Sequence, residues 1–380
     1  MSYFMTEEQE LIRNVAREFA QEEVEPLANE IDKTEECPVG LIKRAAELNL
    51  FGLSIPEEYG GTGSDFVTEC LVLEEIAKAS PALAGLFSVQ IGLTPTVLLT
   101  IGTDEQKRRY LPDSASGKRL ISWAMTEPSG AGNFMNHQTR LTPHGDGYLL
   151  NGLKIFCTQG TGEVYLVMTK TTAPDGKEGY GCVIVEKGMK GFEVGNYEDK
   201  LGWRGTNTGT VSFKDVYVPK ENIVGDLLTG AILPGNNPYN WLGAVGHAAT
   251  CLGLAEGAFD KTLAYVKQRV LYGVPMQHLQ PMSYWLAEAS AKIEACRGMV
   301  YNAARLHDEG NNIATMSSLT KAFVSETSFQ VANTCLQMWG CHGIANATGI
   351  NRYMRDARTK CVAEGATEML YSQVAMGLFA

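Results

Sequence analysis

The hydrophobic pattern of this 380-residue chain changes twice, and those two changes constrain its fold more than any other feature. Over residues 6–111 apolar side chains recur at helical spacing, and Thr6 with Gln9 forms the signature of a capping box. Over residues 120–226 strand-like runs are separated by turn signals, and from residue 241 onward the helical spacing returns. We therefore predict a mostly α protein with an N-terminal helical domain, an antiparallel β-barrel-like middle domain and a C-terminal four-helix bundle.

The middle zone contains short runs with the alternation or the β-branched composition of strands. They are Tyr148–Leu150, Val164–Lys170, Tyr180–Glu186 and Val211–Val218. The change of pattern on either side of these runs sets the predicted domains. These are an N-terminal α-helical domain over residues 1–117, a middle β domain over 118–232 and a C-terminal α-helical bundle over 233–380.

Charge and cysteine usage exclude several classes of protein. The net charge of −11 and a pI near 5.2 argue against binding to nucleic acid, because phosphate backbones are bound by clustered lysine and arginine. The nine cysteines form no C-x-x-C pair, so we predict no metal centre. The N-terminus lacks the pattern of a signal peptide, and no run approaches the ~18 apolar residues of a membrane span. We therefore expect a cytoplasmic, bacterial protein without a membrane span.

Two segments stand out as candidates for chemistry, since neither a dinucleotide-binding G-x-G-x-x-G after a strand nor a P-loop occurs. The Gly-rich segment Thr126–Gly132 permits close approach of a ligand to backbone N–H groups, although taken alone it favours a plain turn. Glu364 lies among apolar and small residues, where burial raises the pKa of a carboxyl and makes it a better base. Taken alone, that segment favours a solvated glutamate at a helix end.

A series of ordered motifs resembles those of the acyl-CoA dehydrogenase family over nearly the whole chain. The motifs are Thr126-Glu127-Pro128, Asn151-Gly152-x-Lys154-x-Phe156-Cys157-Thr158, Lys200-Leu201-Gly202-Trp203-Arg204, Phe213-Lys214-Asp215-Val216-x-Val218-Pro219, Arg269-x-x-Tyr272-Gly273 with Gln280, Gln337-x-x-Gly340-Cys341-x-Gly343, Arg355-Asp356-Ala357 and Glu364-Gly365. Each motif is modest by itself, but the set in this order is highly specific. The helix–β–helix architecture of the family agrees with the three zones.

The resemblance implies that FAD binds noncovalently between the β domain and the C-terminal helices. The flavin ring is expected to contact Trp123, Met125, Thr126, Phe156 and Thr158, and Gly132, Ala366 and Glu368 complete that part of the site. The pyrophosphate and adenosine are expected to contact Arg269, Tyr272, Gln280, Gln337, Gly340 and Cys341. Because Arg269 comes from a neighbouring subunit in the family, the resemblance also implies a homo-oligomer, usually a tetramer.

The resemblance also implies the reaction. Glu364 would remove the α-proton of an acyl-CoA thioester while hydride leaves the β-carbon for the flavin, and electrons would pass to an electron-transfer flavoprotein. The thioester carbonyl must be polarised before this weak acid ionises. Some relatives carry the base on the helix that begins near residue 243, but Gly243 stands there in this chain. Glu364 is therefore the only candidate for the base.

Departures from the family pattern concentrate on the substrate side. Small and apolar residues replace the polar contacts to the thioester arm, and we assign substrate binding to Gly132, Phe134, Trp241, Ala244 and Gly365. The family's serine reads Gly132, and its D-x-x-R pair reads Trp241 and Ala244. Ala84 replaces the arginine of glutaryl-type members, which argues against a glutaryl-like substrate.

These departures leave several functions open. We predict an unusual acyl group, bulky or aromatic, with a carrier-protein thioester as the second option; neutral drift in loop packing is an equal alternative. The same site run in reverse is an enoyl-CoA reductase, and a flavin oxidase is a further enzymatic class. A non-catalytic scaffold is the remaining alternative, and retention of Glu364, Arg269 and Gln337 counts against it.

Overall fold

A computed structural model describes residues 5–36, 38–158, 162–172, 176–228 and 238–379. Its N-terminal part is helical, as the apolar spacing predicts. The helices are α1 Glu7–Phe19, α2 Ala28–Thr34, α3 Val39–Glu47, α4 Phe66–Ala79, α5 Pro81–Ser88, α6 Thr94–Ile101 and α7 Asp104–Ala115. The predicted capping box opens α1, because Thr6 Oγ1 accepts the Gln9 N–H at 3.1 Å and Gln9 Oε1 accepts the Thr6 N–H at 3.0 Å.

A π-helical turn at Val89–Leu93 joins α5 to α6, so that Pro81–Ile101 is one continuous helix of 21 residues. Its most apolar window has a mean hydropathy of 1.7, which by length and composition is enough to cross a membrane. The prediction that no run approaches this length is therefore wrong. Since 89% of that window is buried inside the protein, the helix packs as a core element.

The middle part contains the predicted β domain, and its strands lie in one eight-stranded sheet. The strands are β1 Ile121–Ala124, β2 Arg140–His144, β3 Gly147–Cys157, β4 Val164–Thr172, β5 Glu178–Glu186, β6 Phe192–Tyr197, β7 Gly209–Val218 and β8 Ile223–Val224. Their order is β6-β7-β3-β2-β4-β5-β8, with β1 beside β4. Most pairs are antiparallel as predicted, but β1 runs parallel to β4, and β2 meets β4 in parallel at Arg140 and Lys170.

The C-terminal part contains three long helices. It starts with α8 Pro238–Gln268, which is followed by the short strands β9 Val270–Leu271 and β10 Val274–Pro275. The remaining helices are α9 Gln280–Asp308, α10 Ala314–Trp339, α11 Cys341–Ile344, α12 Ile350–Val362 and α13 Thr367–Leu378. The helix α10 packs against α8, α9, α12 and α13. A single hydrophobic core joins α1, α4 and α5 to α8, α9, α10 and α12. The predicted boundary at 117/118 falls between α7 and β1, whereas the boundary at 232/233 lies outside the described residues.

Candidate active site

Glu364 lies in the sharp turn between α12 and α13, and its backbone has an uncommon conformation. Its φ is 53° and that of Gly365 is 94°. Left-handed backbone is unfavourable for residues with a Cβ, so it persists where surrounding contacts fix it, often at functional sites. Phe156 and Tyr272, two further residues of the predicted site, also have positive φ.

The carboxyl of Glu364 faces the first turns of α8. Its Oε2 lies 3.6 Å from the position that a Cβ on Gly243 would occupy, and Leu93 Cδ1 lies 3.5 Å from the same point. A side chain at position 243 would therefore reach the same site, as the family alternative for the base requires. Glu364 is exposed on one side, but desolvation by the surrounding protein raises the pKa of its carboxyl, which suits a base near neutral pH.

Two buried lysines stand behind the turn that carries Glu364, and each lowers the pKa of its carboxyl by charge. Lys321 Nζ donates to the carbonyl oxygens of Gly365 at 2.5 Å and Cys361 at 3.3 Å. Lys360 Nζ donates to Thr250 Oγ1 at 2.5 Å, and burial lowers its pKa to about 8. Sequence reasoning missed both lysines, because their partners are up to 110 residues away along the chain.

Met369 fills the space between the Gly-rich segment and the Glu364 turn. A Cβ on Gly132 would lie 2.6 Å from Met369 Sδ, and a Cβ on Gly365 would lie 3.1 Å from Met369 Cε. The glycine that replaces the family's serine is therefore matched by a long side chain from α13. Sequence reasoning placed Gly132 and Gly365 at the site but missed Met369, which carries no motif signal.

The two predicted flavin-ring motifs are neighbours in the β domain. The Thr126 carbonyl accepts the Ile155 N–H at 2.8 Å, and Lys154 Nζ donates to the Met125 carbonyl at 2.9 Å. Phe156 follows at a register shift between β3 and β7, with 52% of its surface exposed. The Thr126 hydroxyl and the exposed Phe156 ring therefore belong to adjacent segments of the β domain. Thr158 lies just beyond β3 and is half-buried.

Glu127, inside the same turn, has a structural role. Its Oε1 pairs with Lys154 Nζ at 2.7 Å, and its carboxylate accepts backbone N–H groups of Gln138 and Thr139. Burial alone would raise the pKa of Glu127, but these hydrogen bonds and the Lys154 ammonium lower it to about 2. The ionised Glu127 therefore holds the turn on the sheet.

The remaining predicted ring-side and substrate-side residues lie on β1, after the Gly-rich segment, on α8 and at the start of α13. Trp123 on β1 lies 6.5 Å from the Tyr239 ring. Phe134 stands edge-on to His137, and both Phe134 and Trp241 are half-buried. The other three predicted residues are a buried Ala244, a half-buried Ala366 and an exposed Glu368.

The residues predicted for the pyrophosphate and adenosine lie together at the C-terminal end of α8, far from Glu364. Arg269 directly follows α8, and its N–H donates to the Tyr265 carbonyl at 2.9 Å. The Tyr265 ring stacks on Trp339 of α10 with centroids 4.0 Å apart, which brings the start of the Gln337–Gly343 motif to the same end. All six residues of this group are exposed: Arg269, Tyr272, Gln280, Gln337, Gly340 and Cys341. Since Gly243 and Arg269 are 26 residues apart in sequence, roughly 39 Å along α8 separates this group from Glu364.

Comparisons with known proteins agree with the three-part fold. Residues 6–118 match the acyl-CoA dehydrogenase N-terminal domain, residues 122–216 its middle domain and residues 242–379 its C-terminal domain. These matches, with the three-part fold, define an oxidoreductase acting on CH–CH groups. The chain belongs to the acyl-CoA dehydrogenase family, whose members are FAD-dependent flavoproteins. The family and the fold expected from the sequence motifs are therefore confirmed.

Individual relatives match over the full length of the chain. The chain is 36% identical to the 3-(aryl)acrylate reductase of Clostridium sporogenes (strain ATCC 15579), with 99% of each chain covered. Butyryl-CoA dehydrogenase from Megasphaera elsdenii superimposes with a TM-score of 0.95 at 31% identity, with 100% of both chains covered. A chain from the structure of the electron transferring flavoprotein of Acidaminococcus fermentans gives a TM-score of 0.94 at 34% identity, covering 100% of this chain and 99% of that one.

The residues present fit the FAD that the family requires. An exposed aromatic side chain at Phe156 beside the Thr126 hydroxyl suits a planar heterocycle that needs both stacking and hydrogen bonds. The exposed guanidinium of Arg269 offers the fork of donors that suits a pyrophosphate.

Proposed function

We propose that this protein catalyses the α,β-dehydrogenation of an acyl-CoA thioester or the reverse enoyl-CoA reduction, with Glu364 as the base. The observation that carries this proposal is the Glu364 carboxyl itself. It is held by a left-handed turn, has a raised pKa, and faces an α8 surface with glycine at position 243. No second carboxyl stands at the alternative position of the base.

The backbone around Glu364 serves the same chemistry. The fixed turn aims the carboxyl toward the cleft, and the Glu364 N–H is our candidate donor to the thioester carbonyl. A donor that polarises this carbonyl stabilises the enolate-like charge that develops when Glu364 takes the α-proton. Lys321 maintains the geometry by binding the Gly365 carbonyl. Holding the base and the donor in one turn lowers the entropic part of the barrier.

For the cofactor, we assign the flavin ring to Trp123, Met125, Thr126, Phe156 and Thr158, with Gly132, Ala366 and Glu368 at its margin. FAD, when bound, accepts the β-hydride in dehydrogenation and supplies it in reduction. Arg269 holds the pyrophosphate of a neighbouring copy, and Tyr272, Gln280, Gln337, Gly340 and Cys341 surround its adenosine. We therefore propose a homo-oligomer, a tetramer as in the family.

For the substrate, we propose a bulky or aromatic acyl group. The part of α8 next to Glu364 carries the small residues Gly243 and Ala244, and Leu93 contacts the position that a Cβ on Gly243 would occupy. Phe134 and Trp241 lie at the rim, and the similarity to a 3-(aryl)acrylate reductase supports an aryl substituent. A carrier-protein thioester is the alternative that a substrate panel separates from CoA thioesters.

For electron transfer, we propose an electron-transfer flavoprotein as the partner. The support is the close match to a chain from a structure of such a flavoprotein.

An anaerobic titration of this protein, purified with its flavin, with acyl-CoA and enoyl-CoA thioesters tests the reaction class. Acyl-CoA should bleach the oxidised flavin, and enoyl-CoA should restore its colour. Fast reoxidation by oxygen and not by an electron-transfer flavoprotein would instead indicate an oxidase.

A further inference from the structure

His247 is a fully buried histidine on α8 that the proposed reaction leaves without a role. It lies one helical turn after Gly243, the residue that faces the Glu364 carboxyl. The His247 Nε2 atom lies 3.0 Å from the carbonyl oxygen of Lys360 on α12. His247 therefore joins the part of α8 beside the base to the helix that leads into the Glu364 turn.

This hydrogen bond decides which nitrogen of His247 carries the proton. A carbonyl oxygen can only accept, so Nε2 donates, and Nδ1 of the neutral imidazole carries no hydrogen. The ring is neutral, because burial and the charges of Lys360 and Lys321 lower the pKa of His247 well below its usual value. Nδ1 has no hydrogen-bond partner among the described residues. An apolar side chain would avoid this unpaired acceptor, so the Nε2–H donor is the feature that requires an explanation.

The Lys360 carbonyl is an acceptor that the end of α12 leaves without a backbone partner. Each helical carbonyl accepts the N–H four residues later, and this pattern ends where the Ala363 N–H donates to Thr359 at 3.1 Å. The next such bond would join the Glu364 N–H to Lys360. It is absent because Ala363 has extended backbone, with φ −69° and ψ 156°, which turns the Glu364 N–H away from α12. No described residue accepts a hydrogen bond from that N–H.

His247 thus occupies the acceptor that the Glu364 N–H would use if α12 continued. The neighbouring Cys361 carbonyl is satisfied in a similar way, by Lys321 Nζ at 3.3 Å. Because side chains of α8 and α10 satisfy both carbonyls, the chain can leave the helix at Ala363 without orphaning buried acceptors. The Glu364 N–H then remains available for a ligand.

We propose that His247 is a positioning residue that keeps the Glu364 N–H free for the thioester carbonyl. By donating to the Lys360 carbonyl, it favours the turn in which this N–H is released over a longer α12 in which the N–H would be consumed. This inference rests on the proposed function, in which the Glu364 N–H polarises the thioester carbonyl. It adds the reason why that donor is available.

Binding of acetoacetyl-CoA to the FAD-loaded protein tests the donor separately from hydride transfer. The α-carbon of this thioester lies between two carbonyls, so it can lose a proton to give an enolate, and its β-carbon carries no hydrogen to transfer. Ultraviolet difference spectra across pH give the pH at which half of the bound thioester is ionised. In wild-type protein this pH should lie below that of the free thioester, because a hydrogen bond to the enolate oxygen stabilises the charged form.

His247→Leu should raise this half-ionisation pH by about 1 pH unit, because the Glu364 N–H can return to the Lys360 carbonyl. It should lower kcat by about tenfold or more, as expected for loss of a donor to a developing oxyanion. The limb of the pH–rate profile on which Glu364 becomes ionised should keep its position, since a neutral histidine contributes no charge.

Two amide variants test whether the donor at Nε2 is the essential feature and keep the test informative if the leucine variant folds poorly. The amide of His247→Gln can place an N–H near the position of Nε2, so it should recover most of the lost enolate and kcat. The amide of His247→Asn is one methylene shorter and should not recover them.

Tyr353→Phe is the matched control on α12. Tyr353 is also fully buried, and its hydroxyl donates to the Lys78 carbonyl near the end of α4 at 2.5 Å. The variant therefore removes a comparable donor to a helix-end carbonyl away from the Glu364 turn. It should leave the half-ionisation pH of bound acetoacetyl-CoA at the wild-type value, and thermal denaturation measures the loss of stability in each variant.

Three results would overturn the role of His247 alone: a wild-type half-ionisation pH in His247→Leu, an equal shift in Tyr353→Phe, or equal behaviour of His247→Gln and His247→Asn. If wild-type protein bound acetoacetyl-CoA without lowering its half-ionisation pH, the Glu364 N–H would not be the donor of the proposed function, and the role of His247 would fail with it. The two failures are therefore distinguishable.

Discussion

The backbone of Glu364 is held in an unfavourable region by contacts that originate far away in sequence. Lys321, 43 residues earlier, binds the carbonyl of Gly365 with a buried ammonium. This hydrogen bond fixes the turn, and the charge of Lys321 also opposes the effect of desolvation on the Glu364 carboxyl. Lys321 is thus a positioning residue, since it acts through the base and is not placed against the substrate.

Replacing Lys321 by methionine should change both the height and the position of the pH–rate profile. Loss of the hydrogen bond loosens the turn, so kcat should fall by about tenfold or more, with a smaller change in KM. Loss of a neighbouring cation raises the pKa of Glu364, so the limb on which the base becomes ionised should move to higher pH. Steady-state kinetics across pH measures both effects.

Lys360→Met is the matched control, because Lys360 also lowers the pKa of Glu364 but binds Thr250 instead of the turn. It should shift the profile in the same direction with a smaller loss of kcat. Lys321→Arg, which keeps a cation, should recover part of the lost kcat. An equal loss of kcat in Lys321→Met and Lys360→Met, or no recovery in Lys321→Arg, would contradict the positioning role.

The contact between Gly132 and Met369 gives a second prediction for single residues. Gly132→Ser restores the family side chain but places its Cβ 2.6 Å from Met369 Sδ. We expect a cost of about 1–3 kcal/mol or weaker flavin retention, as in other overpacked sites. Gly132→Ser combined with Met369→Ala should recover most of the loss, and thermal denaturation with flavin fluorescence measures it. A single variant as stable as wild type would contradict the proposed fit.

At the scale of elements, α4 and α8 cross unusually closely at two glycines of α8. A Cβ on Gly253 would lie 2.1 Å from the Glu74 carbonyl oxygen, and one on Gly257 would lie 2.3 Å from the Lys78 carbonyl oxygen. Because the obstructing atoms are backbone, a side-chain rotation cannot relieve the overlap. This crossing fixes α8 relative to α4 and therefore places Gly243 beside Glu364.

Gly253→Ala should therefore lower the stability by about 2–3 kcal/mol, although alanine is the better helix former. Gly298→Ala on α9 is the control, because a Cβ there meets nothing within 4 Å and should stabilise the helix by about 1 kcal/mol. Thermal or urea denaturation distinguishes the two. A stabilising effect of Gly253→Ala would contradict the close crossing.

Local sequence patterns predicted the helices and strands well, whereas contacts between segments distant in sequence were harder to predict. The strand runs and the Thr6 capping box depend on neighbouring residues, so the sequence contains their full signal. The parallel pairing of β1 with β4 was missed because the two strands are about 40 residues apart and no short turn fixes their direction. Burial is also set by the fold, since Leu11, an apolar residue of α1, is 65% exposed.

At the scale of the whole molecule, the predicted FAD-binding residues fall into two groups. The ring-side residues lie on β1, on β3 and in the Gly-rich segment, which reaches the Glu364 turn through Met369, and the Arg269 group lies at the far end of α8. The sequence motifs predicted which residues belong to each group, but only the structure shows how far apart the two groups lie. Lys360 and Met369 were missed for a similar reason, since neither belongs to a motif and each acts through a contact made by the fold.

This separation predicts complementation between copies of the chain. Arg269→Ala alone should lose FAD affinity, and Glu364→Gln alone should lose turnover. If Arg269 completes the site of a neighbour, co-expressed mixed oligomers should regain a fraction of wild-type activity, since an Arg269→Ala copy can keep Glu364 and receive Arg269 from its partner. No recovery in verified mixed oligomers would show that Arg269 acts within its own chain.

The central claim is that Glu364 transfers the α-proton, and anaerobic flavin bleaching of Glu364→Gln tests it most directly. The glutamine keeps the size of the side chain and cannot act as a base, so the variant should remain yellow and bind thioesters. Its bleaching rate should fall by about 10³-fold relative to wild type. Bleaching at a rate near that of wild type would contradict the assignment of Glu364 as the base.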